Sequence, residues 1–342
     1  MKILKCVSSM LAVGLLLVSM NTLAGVRVVN CDKGDSLQKA IEAGAGSAAP
    51  LQIRLLGTCY ESFQFTRDQV IVMGDGNTTI VGTITIRGSD QVEFDDLTIT
   101  GPGAGVSVFN GRVRLLRVNV SGNENSGVNA RQRASVVLSD SLVNDNHGDP
   151  GIFVEDSFLL ANRSEVIGNW GTGIVANLNS SVRLGDTTVY ANHGDGILAS
   201  TGSSVQAQGA HIWENQNVGI SMRSGSSGEV SDSAINANGQ SGLQVAGNSS
   251  LDVYGGMVNW NGDHGVWVWE HSFLRLGDVQ VSFNLGLGAA VARDGGLVLE
   301  GNAWIDDNLD PNFQVACLGK EASIEIVPPA HAGPMDCVDA DF

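Results

Sequence analysis

Two short segments of the sequence combine histidine with aspartate, the residue types that form acid–base couples and metal sites. NDNHGDPGIF contains His147 and Asp149, and YANHGDGILA contains His193 and Asp195. Histidine and a carboxylate can exchange protons with a substrate, and both residue types can bind zinc. What the two copies can do depends on the elements that position them.

Arginines and carboxylates crowd around the first of these segments. Arg131 and Arg133 precede Asp149, and Glu155 follows it. Because an arginine beside carboxylates could act on a carboxylated sugar, these four are the candidate catalytic residues. Calcium needs several converging oxygen ligands, and its candidate ligands are Asp145, Asp149 and Asp156. The alternative, which we favour, is a solvated acidic face that pairs modestly with a basic one across neighbouring strands.

An internal repeat organises most of the chain. Asparagines recur every 23 residues, with a final step of 24, at Asn123, Asn146, Asn169, Asn192, Asn215, Asn238, Asn261, Asn284 and Asn308. A glycine four residues after most of them opens an alternating strand such as GVNA, GILA or GVWV, and a second strand such as SVRLGDT follows. Each unit is too small to bury its own apolar face, so stacked units must share one core. The repeat predicts a solenoid whose inward asparagines form hydrogen bonds from rung to rung.

This pattern resembles the right-handed parallel β-helix of the pectin-lyase-like superfamily, whose coils carry such asparagine ladders. The resemblance covers roughly residues 30–315 and implies an all-β, single-stranded right-handed parallel β-helix solenoid with about 23 residues per coil. DSLQKAIEAG predicts a short amphipathic helix that caps the open end of the core. The superfamily includes lyases, hydrolases, esterases, epimerases, tailspikes and adhesins, so the resemblance specifies the fold and leaves the activity open.

The repeat also bears on the two His–Asp segments. His147 and His193 are 46 residues apart, with Trp170 in the equivalent place between them. A separation of two coils places the backbones of the two histidines about 9.6 Å apart. A shared zinc ion needs both ring nitrogens within about 2.1 Å of the metal. Gly and Asp also favour tight turns. The spacing therefore favours turns over a shared metal site.

Several site motifs of the superfamily are missing. Polygalacturonase-like hydrolases carry Gly-His-Gly, which does not occur here, and alginate-epimerase-like proteins carry Asp-Pro-His, to which HGDPGIF comes nearest in the wrong order. Pectate-lyase-like sites combine calcium-binding aspartates with an arginine base, and the cluster around Arg131 is a loose version of that arrangement. The nearly constant unit length, with no long loops to wall a groove, favours a non-catalytic role.

The segment WNGDHGVWVWEHSF contains the candidate carbohydrate-binding surface. Trp267 lies between Val266 and Val268, whose alternation predicts that they point inward and that Trp267 points to solvent together with Trp269. Small neighbours on adjacent rungs are expected to leave the ring faces open to sugars. The predicted set is Trp267, Trp269, His264, Glu270 and His271. Alternatively, the aromatic rings cover a loop or an oligomer contact.

The ends of the chain predict export. Residues 1–24 combine Lys2 and Lys5 with the apolar run LAVGLLLV and end on Ala24, the pattern of a signal peptide. We divide the remainder into an N-terminal cap at 25–60, the β-helix at 61–315 and a C-terminal cap or tail at 316–342. No later apolar run is long enough to span a membrane, so we expect a periplasmic or secreted protein. The net charge of −17 argues against nucleic acid as a partner.

Four cysteines follow the predicted signal peptide. In an oxidising compartment this even number indicates two disulfides. We favour one bond at each end, Cys31–Cys59 and Cys317–Cys337, and two other pairings remain open.

We therefore predict an exported β-helix that binds or processes polysaccharide through an exposed strand face. The alternative is a non-enzymatic structural or adhesive solenoid, and an enzyme of this type would be a polysaccharide lyase, hydrolase or epimerase. For the fold, Asn215→Leu should cost about 1–3 kcal/mol because turn amides lose their partners. Ser203→Ala is expected to be a near-neutral surface change.

Overall fold

Residues 26–44, 49–65, 67–310, 312–319 and 321–338 are described by the structure, a computed structural model. Each coil contributes three short strands, and equivalent strands of successive coils pair in parallel register. The stacked strands form three faces, here called face 1, face 2 and face 3 in the order in which the chain visits them within a coil. Faces 1 and 2 are joined into one sheet, and face 3 is a second sheet. The predicted right-handed parallel β-helix with about 23 residues per coil is confirmed. The predicted signal peptide lies outside the described residues.

Face 1 begins each coil. Its strands are Arg27–Asn30, Leu51–Leu56, Val70–Met73, Val92–Asp95, Arg112–Leu116, Ser135–Ser139, Phe158–Asn162, Ser181–Gly185, Ser204–Gln208, Ser227–Asn236, Ser250–Asn259, Phe273–Gly277, Gly296–Glu300 and Ser323–Ile326. Ser227–Asn236 and Ser250–Asn259 run on into face 2.

Face 2 is built from the shortest strands. They are Thr58–Cys59, Thr79–Val81, Thr98–Thr100, Asn119–Ser121, Leu142–Asn144, Glu165–Ile167, Thr188–Tyr190, His211–Trp213, Gln280–Ser282, Trp304–Ile305 and His331–Ala332. A strand such as Thr188–Tyr190 buries one inward residue, Val189. One buried residue produces no visible alternation, which is why the sequence indicated two strands per coil and the structure has three.

Face 3 contains the alternating strands that follow the repeated glycines. They are Phe63–Phe65, Ile84–Arg87, Val106–Phe109, Val128–Arg131, Ile152–Glu155, Ile174–Asn177, Ile197–Ala199, Ile220–Met222, Leu243–Val245, Val266–Val268, Ala289–Ala292, Val315–Leu318 and Met335–Val338. Their inward side chains form the core together with those of the other faces.

The buried asparagines connect face 2 to face 3. From Asn123 to Asn308, each Nδ2 donates to Oδ1 of the next ladder asparagine at 2.8–3.0 Å. Gln314 takes the following place, because its Oε1 accepts from Asn308 Nδ2 at 2.9 Å. The glycine that follows most of these asparagines leaves room for the next rung: a Cβ on Gly196 would lie 2.8 Å from Asn215 Nδ2. We call this turn the asparagine corner.

Serine hydroxyls connect face 3 to face 1 in the same manner. Ser203 is fully buried, and its Oγ accepts the backbone N–H of Ser180 at 3.2 Å. Ser226 donates its N–H to Ser249 in the equivalent bond, at 3.1 Å. The expectation that Ser203→Ala is a surface change was therefore wrong, because a small polar residue in a turn can point inward when each rung offers it a backbone donor.

The two ends of the solenoid differ. At the N-terminal end, a 3-10 turn at Cys31–Lys33 precedes the helix Leu37–Ala43, which is capped by Ser36 and buries Leu37, Ala40 and Ile41 over the first coil. Cys31 is bonded to Cys59, and Cys317 to Cys337, so the predicted disulfide at each end is confirmed. At the C-terminal end, Ser323–Ile326, His331–Ala332 and Met335–Val338 extend the three faces beyond residue 315.

Within the described residues, no helix has both the length and the apolar character needed to cross a membrane.

Candidate functional site

The two predicted tryptophans lie on the outer surface of face 3. Val266 and Val268 are fully buried, and Trp267 between them points away from the core. The rings of Trp267 and Trp269 pack on each other, with centroids 4.4 Å apart and planes at 39°. This contact leaves both rings only partly exposed. The expectation of fully open ring faces is thus corrected: the two side chains form one compact aromatic surface.

His264 forms one wall of this surface. Its ring meets Trp267 edge to face, with centroids 5.8 Å apart. His264 Nδ1 accepts the backbone N–H of Leu287 at 3.0 Å, which requires that nitrogen to be unprotonated. Burial lowers the pKa of His264, although the carboxylates of Asp263 and Asp310 oppose the effect. At neutral pH, His264 is therefore an uncharged and fixed neighbour of Trp267.

A polar cluster on the two rungs before the tryptophans was missed by the sequence analysis. Arg223 Nη2 donates to Gln244 Oε1 at 2.9 Å, and its Nε donates to Ser221 Oγ at 2.8 Å. Ser221 and Gln244 are buried, whereas nearly half of the Arg223 side chain is exposed. Gln244 pairs in register with Trp267 on the next strand. A fixed guanidinium therefore lies on the same surface as the aromatic pair.

Asp195, from the second His–Asp segment, borders this cluster. Its Oδ1 accepts the Val218 N–H at 3.1 Å, and its Oδ2 lies 3.9 Å from Arg223 Nη2. Burial raises the pKa of Asp195; the Val218 N–H and Arg223 oppose this, and Asp149 adds to it. The segment does form a turn, but the turn also holds a buried carboxyl at the margin of face 3.

A cavity of about 420 Å³ opens between the arginine and the aromatic surface. Glu270 lies on its rim and comes within 3.5 Å of Arg293. His271 turns away, with Nε2 2.8 Å from Asp294 Oδ2. The cavity is lined by Arg223, Ser224, Gln244, Ala246, Gly247, Trp269 and Glu270.

The first predicted catalytic cluster is only partly assembled. Arg131 and Glu155 pair in register on face 3, with Nη1 4.0 Å from Oε1. The Arg131 guanidinium also lies over the Phe153 ring, 4.8 Å from its centroid. Arg133 lies past the end of the strand, where its N–H donates to the Asp156 carbonyl. Asp149 precedes the strand Ile152–Glu155 and so lies at the other edge of face 3, where it accepts the Thr172 N–H at 3.1 Å.

The structure does not bring the predicted calcium ligands together. Asp145 lies at the end of face 2, where it accepts from Asn144 Nδ2, and Asp149 lies beyond the asparagine corner. Asp156 follows the face 3 strand Ile152–Glu155. In the ranges that the structure describes, no three or more His, Cys, Asp or Glu side chains are grouped so that they could hold a metal ion.

The two histidines of the opening segments are also separated. Trp170 lies between His147 and His193, with centroid distances of 4.6 and 6.4 Å. His193 Nδ1 lies 3.2 Å from the Asn169 carbonyl oxygen. This arrangement is an aromatic stack along the asparagine corner, as the repeat spacing indicates.

A family comparison agrees with this architecture. The model of the right handed beta helix region matches residues 82–227 and 186–285, which together span more than half of the chain. The chain therefore belongs to that family, with a fold of the pectin-lyase-like type. No curated protein matched the sequence.

Solved structures with the same fold include alginate epimerases. The A-module of the mannuronan C-5 epimerase AlgE6 from Azotobacter vinelandii has a TM-score of 0.53 at 15% identity, with 91% of this chain and 98% of that chain covered. The periplasmic alginate epimerase AlgG has a TM-score of 0.52 at 14% identity, covering 91% and 83%. A variant of AlgG has a TM-score of 0.63 at 13% identity with the same coverage. At these identities the likeness shows the fold alone.

Proposed function

We propose that this protein binds polysaccharide on the outer surface of face 3. The observation that carries the proposal is the Trp267–Trp269 pair beside the fixed Arg223–Gln244 cluster, with a cavity between them. Aromatic rings offer apolar faces to the C–H groups of sugars, and a guanidinium and an amide offer hydrogen bonds to hydroxyl or carboxylate oxygens. Clefts that combine aromatic side chains with a few fixed polar groups are typical of ligand-binding sites.

The dimensions of the surface suit an extended chain. Strands of face 3 repeat about every 4.8 Å, so that the rungs of Arg223, Gln244 and Trp267 span roughly 10 Å along the solenoid. Arg131, Phe153 and Glu155 lie further along the same face and could contact additional sugar residues. The alginate epimerases with the same fold act on a polysaccharide, which supports this class of ligand for the present chain by analogy.

We propose export as the cellular context, since two disulfides are typical of an oxidising compartment. The segment at 1–24 would supply the signal.

Processing of the bound glycan is a second candidate function, favoured by Asp195. A buried carboxyl with a raised pKa can hold a proton closer to neutral pH than an exposed one, which is the property that a general acid needs. Arg223 next to it would hold a negatively charged group of the substrate. The alternative of a structural or adhesive solenoid requires neither the cavity nor the buried acid.

Affinity electrophoresis through gels that contain single neutral or acidic polysaccharides tests binding. We expect at least one glycan to retard the wild type, and the Trp267→Ala/Trp269→Ala variant to lose that retardation. Arg223→Gln should weaken it selectively for acidic glycans. Trp170→Ala is the matched control, because it removes an exposed tryptophan from the asparagine corner and leaves face 3 intact.

Two results would reject the proposal. One is wild-type mobility that no glycan changes, which would favour the structural or adhesive role. The other is retardation that persists in the double variant and disappears in Trp170→Ala. If a glycan binds, incubation followed by sizing of its chains tests processing, and Asp195→Asn should abolish any cleavage while retaining retardation.

A further inference from the structure

Large apolar side chains are exposed together at the asparagine corner, away from the Arg223 cavity. Trp260 is 61% exposed, Leu285 60% and Leu309 56%. We group with them Phe283, which is only partly exposed, and Phe313, which is 36% exposed, and call the set the corner patch. Scattered exposed apolar residues are normal in soluble proteins, whereas a contiguous patch marks an interaction site.

The coil geometry makes the patch contiguous. The rings of Trp260 and Phe283 are stacked on successive rungs, with centroids 4.6 Å apart. Phe283 and Leu285 flank Asn284, whose side chain points inward, so both lie on the outside of the same turn. Leu285 donates its N–H to the Asn261 carbonyl and Leu309 donates to the Asn284 carbonyl, which places the two leucines on adjacent rungs of one column. Their backbones are therefore about 4.8 Å apart.

Hydrogen bonds hold Asn312, Phe313 and Gln314, which follow this column in the chain. Asp310 Oδ1 accepts the N–H groups of Asn312 and Phe313 at 2.9 and 3.0 Å, which fixes the local turn. Gln314 is anchored in the asparagine ladder immediately afterwards. Phe313 therefore lies between two hydrogen-bonded positions of the chain.

Aspartates lie near the patch on the rungs that form it. Asp263 and Asp310 both lie within electrostatic reach of His264 on the side towards face 3. On the next rung, Asp307 accepts the Phe283 N–H through its carbonyl, and Asp306 lies 3.3 Å from His331. In residues 255–319 of the sequence, Arg275 and Arg293 are the only arginines, and there is no lysine. Arg293 is held near Glu270, and Arg275 lies on face 1, so neither belongs to the rim.

We propose that the corner patch docks a cationic amphipathic segment of a partner protein. Its apolar residues would cover Trp260, Leu285 and Leu309, while its lysines or arginines would meet the aspartates of the rim. An apolar centre with a polar, charged rim is the usual anatomy of a protein–protein interface. Complementary charge also steers association and selects among partners.

A second copy of this chain fits the patch poorly. Self-association through the patch would bring two acidic rims together in a protein whose net charge is −17. Like charges juxtaposed across an interface disfavour the pairing. The chemistry of the rim therefore selects a basic partner over the protein itself.

Fluorescence anisotropy with three defined labelled peptides tests the inference on the full chain. One peptide alternates lysine with leucine, the second has glutamate in place of lysine, and the third has serine in place of leucine. We expect the lysine–leucine peptide alone to bind tightly, with an affinity that falls as salt is added. Leu285→Ser/Leu309→Ser should weaken its binding at least about tenfold, and Asp307→Asn should weaken it several-fold.

Matched variants distinguish binding at the corner patch from non-specific attraction between the peptide and the acidic protein. Leu178→Ser removes an exposed leucine elsewhere, and Glu229→Gln removes an exposed charge on face 1; both should bind as the wild type does. Circular dichroism checks that each variant is folded.

Three outcomes would overturn the inference. The first is failure of the lysine–leucine peptide to bind the wild type. The second is a lysine–serine peptide that binds as tightly as the lysine–leucine peptide, because charge alone would then explain the binding. The third is a concentration-dependent dimer in sedimentation that Leu285→Ser/Leu309→Ser abolishes, because the occupant would then be a second copy. None of these outcomes bears on glycan binding at face 3, so the two proposals fail separately.

Discussion

The Asn215→Leu substitution is the sharpest test of how the coils are held together. Asn215 is buried in the middle of the ladder. Its Oδ1 accepts from Asn192 N at 3.1 Å and from Asn192 Nδ2 at 2.9 Å, while its Nδ2 donates to Val189 O at 3.1 Å and to Asn238 Oδ1 at 3.0 Å. Leucine has a similar size and can replace none of these four bonds.

The magnitude follows from what each partner retains. The Asn192 backbone N–H loses its side-chain acceptor inside the core, which costs about 1–3 kcal/mol. Asn192 Nδ2 keeps the Val166 carbonyl, and Asn238 Oδ1 keeps the backbone N–H of residue 215, so their losses are smaller. We expect a total loss of about 2–4 kcal/mol, somewhat above the estimate from the sequence alone.

Urea unfolding followed by circular dichroism measures the loss. Asn125→Leu is the control, because Asn125 is exposed and lies outside the ladder. Amide hydrogen exchange should show the largest loss of protection at residue 192 and on its two adjacent rungs. If Asn215→Leu and Asn125→Leu unfold at the same urea concentration, the inward ladder does not contribute as argued.

Three further predictions concern stability. Ser203→Ala should cost about 1–2 kcal/mol in urea unfolding, because the Ser180 N–H loses its acceptor; a near-neutral result would contradict the serine column. Asp195→Asn should stabilise the protein at neutral pH. Because the pKa of Asp195 is raised in the folded state, the wild type loses stability as pH rises from about 3.8 through the folded-state pKa. The stability gained by Asp195→Asn should therefore be larger at pH 7 than at pH 4. If the substitution lowers stability at both pH values, the attraction of Arg223 outweighs the effect of burial. Cys31→Ser/Cys59→Ser should cost about 3–4 kcal/mol, given the 28-residue separation that the bond closes, and unchanged thermal unfolding would argue against its role as a clamp.

The sequence by itself determined the solenoid. Coils of constant length place successive asparagines in one column. A buried side-chain amide has both a donor and an acceptor, so it can bond to the equivalent amide on the next rung. The spacing of Asn192 and Asn215 therefore predicts the fold directly. The alternation around Val266 and Val268 identified the buried face, because successive side chains of a strand point to opposite sides. For the four cysteines the sequence favoured one bond at each end over two other pairings, and the structure has the favoured pairs.

Only the tertiary structure decided which outward side chains meet. Arg223 reaches Gln244 across 21 residues and Asp195 across 28, offsets that differ from the repeat because the side chains lean along and across the rungs. The spacing of residues in the sequence does not predict these side-chain directions. Ring packing likewise turned two tryptophans that were expected to be open into one partly exposed surface. A repeat specifies the positions of backbones, whereas a binding site depends on the directions of the side chains that those backbones carry.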